Sequence, residues 1–189
     1  MRVIAGRFRG RRLAVPEGGT VRPTADRVRE ALFNILAHGA GGGGAGVIAG
    51  ATVLDAFAGS GALGIEALSR GAAHVTFLEN DRAVLRVLRR NVDGLDAADR
   101  IDIFRADAGH PPRAPRAHDL VLMDPPYGSG LAAPVLAALT DQGWPAADAR
   151  AVVEVAAQET FDPPAGFTVT DERRYGAARL VFVKTADDR

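Results

Sequence analysis

Apolar positions along the chain fall into short runs, and the period of those runs switches in a regular way. Val28, Ala31, Leu32, Ile35 and Leu36 recur at helical spacing behind Thr24, which serves as the expected N-cap of a helix over 24–38. From residue 51 onward the pattern alternates. Strands are predicted over 51–56, 74–79, 101–105, 119–123 and 151–156, with helices over 61–70, 81–92 and 130–139 between them. Two further strands, over 167–173 and 178–184, are joined near Tyr175-Gly176 and read as an antiparallel hairpin. Alternation at this spacing predicts an α/β fold: a mixed, mostly parallel sheet of seven strands with helices on both faces and a hairpin at one edge.

The segments outside this alternation differ from it in composition. Residues 1–15 hold two short apolar-containing runs around a Gly/Arg turn, which predicts a small hairpin, and residues 16–23 a loop. We therefore divide the chain into a basic N-terminal arm over 1–23 and one domain over 24–189, the latter interrupted by a flexible glycine-rich loop at 39–46. Those glycines follow no strand and precede no Lys-Ser/Thr pair, so they are not a phosphate loop. Net charge is zero over 189 residues, yet residues 1–29 carry eight arginines against Glu17 and Asp26 and stand at +6. A basic arm on an acidic body suits a polyanion such as RNA, with Arg2, Arg7, Arg9, Arg11, Arg12 and Arg22 as its candidate contacts and Phe8 interleaved for stacking. A merely solvated arm would carry the same charge. The absence of cysteine excludes disulfides and thiolate metal sites, and the four histidines show no evident partner, so no metal is expected. With no apolar run of membrane length and no signal-peptide pattern, the chain reads as cytoplasmic.

Candidate chemistry gathers where predicted strands end. Asp124-Pro125-Pro126-Tyr127 follows the strand at 119–123, and two prolines there forbid further ladder pairing. The backbone must leave the sheet as a stiff lip with a carboxylate at one end, a ring at the other, and carbonyl oxygens without strand partners. A flat ligand bearing an amino group would fit such a lip; a strand-end turn with an Asp cap and a packed Tyr would look the same. After the first sheet strand, Gly59-Ser60-Gly61 and Gly64 make G-x-G-x-x-G on a strand-to-helix turn, and Glu79 lies 18 residues past Gly61. That placement suits a nucleoside-containing cofactor with ribose hydroxyls on the acidic residue. NAD fits those features too, but Asp55 beside the turn would repel a pyrophosphate and suits an ammonium or sulfonium. Asp107, ending the third strand, is a candidate acceptor for an adenine amino group, or a helix cap.

Asp55-Ala56-Phe57-Ala58-Gly59-Ser60-Gly61 together with Asp124-Pro125-Pro126-Tyr127 resembles the class I S-adenosylmethionine-dependent methyltransferases that act on an exocyclic amino nitrogen. The arm from Val3 to Arg11, the segment from Arg22 to Asn34 and the run from Ala62 to Gly71 are similar to the RsmD family, bacterial 16S ribosomal RNA guanine-N2 methyltransferases. The resemblance implies a Rossmann-like methyltransferase fold and S-adenosylmethionine as cofactor. It implies that Asp55, Ala58, Gly59 and Gly61 line the methionine part, that Phe57 and Ser60 also belong to the cofactor site, that Glu79 and Asn80 hold the ribose and Asp107 and Ala108 the adenine, and that Arg22 to Thr24 close over the amino-acid end. Asp124, Pro125, Pro126 and Tyr127 would receive the guanine. The partner would be 16S rRNA, in the small ribosomal subunit or its assembly intermediate, and a monomer is expected. The rival readings are a DNA adenine-N6 methyltransferase, whose target the same lip could serve, and a catalytically silent RNA-binding assembly factor.

Overall fold

The computed structural model of the chain describes residues 1–16, 23–38 and 46–186, with the backbone alone for 23–25. Arg22 and most of the glycine-rich loop thus lie outside the described residues, as does the Thr24 side chain. In chain order come helix α1 (Pro23–His38), strand β1 (Thr52–Asp55), α2 (Ala62–Ser69), β2 (His74–Glu79), α3 (Arg82–Asp93), β3 (Ile101–Arg105), β4 (His118–Met123), α4 (Ala132–Asp141), β5 (Pro145–Ala156), β6 (Phe167–Tyr175) and β7 (Ala178–Thr185). The seven strands form one sheet in the order β3-β2-β1-β4-β5-β7-β6. The first five in that order run parallel, and β7 pairs antiparallel with both β5 and β6.

Parallel strands covered on both faces should be buried almost throughout, and β2 and β4 are, with apolar runs Val75–Leu78 broken only by Thr76 and Leu120–Met123 unbroken. Side chains alternate between two cores. Val53, Val75, Phe77, Leu120 and Leu122 face α1, α2, α3 and the arm, while Leu54, Leu78, Val121, Met123 and Val153 face α4 and Trp144. The chain winds outward from β1 through β2 to β3, then returns to place β4 on the other side of β1. This reversal is the topological switch point at which open α/β sheets bind ligands, beyond the carboxyl ends of the strands.

One expectation needs correction. The first helix begins at Pro23, a residue suited to an opening turn because its φ is preset and its missing N–H is not needed there. Thr24 therefore lies inside the helix and does not precede it. The arm folds back on itself as a small hairpin, with an antiparallel bridge between Arg2 and Arg12 flanked by Val3 N–H to Arg11 O (3.0 Å), Gly10 N–H to Val3 O (2.9 Å) and Leu13 N–H to Met1 O (3.0 Å). Its hold on the body combines a backbone bond from Arg7 N to Ser69 O (2.8 Å) with side-chain contacts. The buried Glu66 carboxylate of α2 accepts from Ile4 N (2.7 Å) and Ala5 N (3.0 Å), and Asn91 of α3 exchanges hydrogen bonds with Ala14 N and O. Val3 and Leu13 enter the core. Among the described residues no helix is long and apolar enough to cross a membrane.

Candidate active site

The glycine turn is shaped by packing as much as by any ligand. Gly59 and Gly61 have φ of 54° and 83°, a region that L-residues with side chains rarely enter. A Cβ on Gly61 would lie 2.5 Å from Leu88 Cδ1 of α3, and one on Gly64 would lie 2.3 Å from the Phe77 ring of β2. The third glycine of the fingerprint is thus what lets α2 close down on the sheet. Glu79, at the end of β2, braces the turn. Its Oε2 accepts from Gly59 N (2.9 Å) and its Oε1 from Asp81 N (2.8 Å). Asp81 caps α3 by accepting from Ala83 N and Val84 N.

Asp55 ends β1 and is buried, its Oδ2 accepting from Gly64 N (2.9 Å) in the first turn of α2. Its Oδ1 is buried with no hydrogen-bond partner. Burial pushes this carboxyl up to about 7; the Gly64 hydrogen bond opposes the rise and the charge of Glu79 adds to it. Asp124 follows β4 one strand away. It is open to the cleft but otherwise enclosed, and poor hydration raises its carboxyl above the ordinary carboxylate range, with the charges of Glu154 and Asp55 pushing the same way. Water reaching it from the cleft side tempers that rise.

One cleft of about 610 Å³, a size suited to a small-molecule ligand, joins the two halves of the expected site. Phe57, Gly59, Glu79, Asn80 and Asp107 line it from the β1, β2 and β3 ends, and Asp124, Pro125, Pro126 and Tyr127 from the β4 end. Leu131 also lines it and was not foreseen. Asp55, Ala58, Ser60, Gly61 and Ala108 stand behind this lining. Ser60 O accepts from Asn91 Nδ2, and Ala58 and Ala108 are buried. Asp107 points both carboxylate oxygens into its own turn, toward Gly109 N (2.9 Å) and His110 Nδ1 (3.0 Å), which lowers its pKa, the His110 bond being the larger cause.

Glu154 was also missed. It follows Val153, the last residue of β5 paired with β4, and accepts a hydrogen bond from the Tyr127 hydroxyl. Poor hydration raises its carboxyl, and the Tyr127 bond opposes the rise. The sequence signal was a lone Glu inside an apolar strand, in Val152-Val153-Glu154-Val155. Outside the cleft, Phe8 is not a free stacking platform: it packs against the core and the Arg7 guanidinium lies over its ring at 5.3 Å. Arg7 also pairs with Asp96 (3.1 Å), while Arg2, Arg9, Arg11 and Arg12 are exposed. Each histidine has a partner after all. His118 is buried between Thr76 Oγ1 (2.9 Å) and Trp144 O (3.2 Å), His74 meets Asp102, His110 meets Asp107, and His38 meets Asn34 O. Among the described residues no group of three or more His, Cys, Asp or Glu is placed to hold a metal ion.

Comparison with known proteins agrees with this geometry. The family model described as Conserved hypothetical protein 95 matches residues 1–184. The chain is 44% identical over 160 residues to Ribosomal RNA small subunit methyltransferase D of Escherichia coli (strain K12), covering 82% of this chain and 74% of that protein. It is 37% identical over 180 residues to the protein of that name from Haemophilus influenzae, covering 93% and 89%. The solved structure of yhhF from Escherichia coli superposes with a TM-score of 0.83 at 38% identity, over 98% of this chain and 97% of that one. A model match along nearly the whole chain, with relatives this similar over most of their length, has one reading: the chain belongs to the Conserved hypothetical protein 95 family, the RsmD-type class I methyltransferases.

Proposed function

We propose that the protein transfers the methyl group of S-adenosylmethionine to the exocyclic N2 of a guanine in 16S ribosomal RNA, in the cytoplasm, on the small ribosomal subunit or its assembly intermediate. The observation that carries this reading is the single cleft lined on one side by Phe57, Gly59, Glu79, Asn80 and Asp107 and on the other by Asp124 to Tyr127. The name of the relatives, Ribosomal RNA small subunit methyltransferase D, supports the substrate class.

The residues fit a cationic cofactor. Asp55 keeps a buried oxygen without a partner, and Asp124 and Glu79 are further acceptors nearby. S-adenosylmethionine, when bound, supplies an electrophilic methyl group on a positively charged sulfur. Glu79 and Asn80 would hold its ribose, Asp107 and Ala108 the adenine, and Asp55 with the 57–61 turn the methionine part. Thr24, with Arg22 beside it, would close over the amino-acid end.

An exocyclic amino nitrogen is a poor nucleophile because its lone pair is delocalised into the ring. The Asp124 carboxylate and the Pro125 carbonyl oxygen accept its two N–H bonds and favour its pyramidalisation. Positive charge developing on that nitrogen is stabilised by Asp124, a positive charge beside Asp124 in turn draws its carboxyl back to the ionised form, and the alkylated nitrogen, now acidic, sheds its extra proton to water. Much of the rate therefore comes from positioning and electrostatics. Tyr127 stacks on the base, which must be unpaired or flipped to reach the lip. The arm over 1–23 holds RNA for the domain over 24–189, and the protein works as a monomer without a metal. The test incubates the protein and labelled cofactor with unmodified small-subunit particles, naked ribosomal RNA and DNA. N2-methylguanine in the ribosomal RNA is expected; methyladenine in DNA, or no transfer to any of the three, would overturn the reading.

A further inference from the structure

The lip cannot be held by the sheet. Pairing of β4 with β5 ends at Met123–Val153, and the next three positions are Asp124 and two prolines that have no N–H to donate. What fixes the far end of the lip comes instead from two glutamates on and just past β5. Glu154 accepts from the Tyr127 hydroxyl, and Glu159 Oε2 accepts from Gly128 N (2.9 Å) and Ala156 N (3.3 Å). Arg179 of β7 donates to Glu159 O, which ties this frame to the antiparallel part of the sheet. Glu154 occupies the position on β5 that follows the last β4 pair, as Asp124 does on β4, so the strand register itself brings the carboxylate to the lip. The Tyr127 ring is held at its tip yet remains 42% exposed at the cleft edge.

We infer that Glu154 is a positioning residue for the target base: by holding the Tyr127 hydroxyl it fixes the ring in advance as the stacking wall of the base pocket. The inference rests on the reading of Asp124 to Tyr127 as the lip that receives a nucleobase. A tyrosine already immobilised loses little rotamer freedom when a base stacks on it, whereas a free one loses it on binding. Glu154 acts through Tyr127 and touches no reacting atom.

The test is a double-mutant cycle on methyl transfer to unmodified small-subunit RNA, with the melting temperature of each variant measured alongside. Tyr127→Phe keeps the ring and loses the tether, and Glu154→Ala loses it from the other side. Each is expected to raise the KM for RNA roughly fivefold, an order set by the cost of ordering one side chain, with a smaller change in kcat. The double variant should show no further rise in KM. Glu154→Gln keeps an acceptor oxygen but not the charge, so it should restore most of the KM and separate tethering from the effect of the charge on Asp124. An unchanged KM in Glu154→Ala, additive rises in the double variant, or no rescue by Gln would each overturn the inference while an active wild type left the proposed function standing. A wild type inactive on ribosomal RNA would overturn both.

Discussion

Two carboxyl groups, Asp55 and Asp124, end neighbouring strands, and among the described residues neither forms an ion pair. Both are displaced toward the protonated form, Asp55 to about 7. A cationic ligand stabilises the ionised form, so below pH 7 binding must first expel a proton from Asp55 and affinity falls. Calorimetric titration with S-adenosylmethionine should give a several-fold weaker Kd at pH 6 than at pH 8, and Asp55→Asn should flatten that dependence; equal affinities at the two pH values in the wild type would sink the charge argument. Asp124 has a separate part. Asp124→Ala removes the acceptor at the developing charge and should cost about 10²- to 10³-fold in kcat, the scale seen when one such group is lost, while cofactor still binds. Near-normal turnover in that variant would refute its role.

At the scale of elements, the arm is more than a carrier of charge. Val3 and Leu13 are core residues, and removing residues 1–15 would leave Glu66 buried without the Ile4 and Ala5 N–H groups and Asn91 without Ala14. Among the described residues Glu66 would keep only the Arg70 Nε bond (2.7 Å), and the loss of its two backbone donors together with the core contacts of Val3 and Leu13 is destabilising, so truncation would report on folding before it reported on RNA. The cleaner perturbation is Arg9→Gln with Arg12→Gln, both exposed and without ion pairs among the described residues. Binding of small-subunit RNA should weaken, and the slope of log K against log salt should flatten by about 0.7 for each lost single-strand phosphate contact. An unchanged slope would remove the arm from the interface. Sequence alone placed the arm's charge but not its anchoring, because Glu66 lies more than sixty residues away and carries no local signal of its partners. The same limit hid Glu154, whose meaning depends on the β4–β5 register. Strand ends were legible because parallel strands read as apolar runs that stop at Asp55, Glu79 and Met123, and a parallel sheet gathers such ends at one edge. Cleft lining was less so: spacing could not tell Gly59, which faces the cleft, from Gly61, which packs on Leu88.

Over the whole molecule, stability against pH combines groups of opposite sign, His118 on one side and Asp55 with the raised carboxyls of Asp124 and Glu154 on the other. His118 is held neutral by burial, stacked on Trp144 with ring centroids 5.5 Å apart, and its pKa falls from 6.5 to about 4. A depressed pKa means that its stabilising contribution is complete above 6.5 and is lost as pH falls toward 4. Asp55 runs the other way. With a folded pKa of about 7 against 3.8, its contribution is complete below 3.8 and is lost as pH rises toward 7. Between pH 4 and 6.5 the folded protein thus holds a proton on Asp55 that the unfolded chain releases, and lacks one on His118 that the unfolded chain binds. Each of these two effects has a slope of up to about 1.4 kcal/mol per pH unit, and the two oppose each other. Urea unfolding of the ligand-free protein at pH 5 and pH 6 therefore isolates Asp55 when wild type and Asp55→Asn are compared. Asp55→Asn removes one slope and leaves the rest, so that variant should gain about 1 kcal/mol relative to wild type between the same two pH values. If wild type and variant instead follow parallel curves, Asp55 does not carry its proton in the folded state, and the buried carboxyl must already be ionised before any cation arrives.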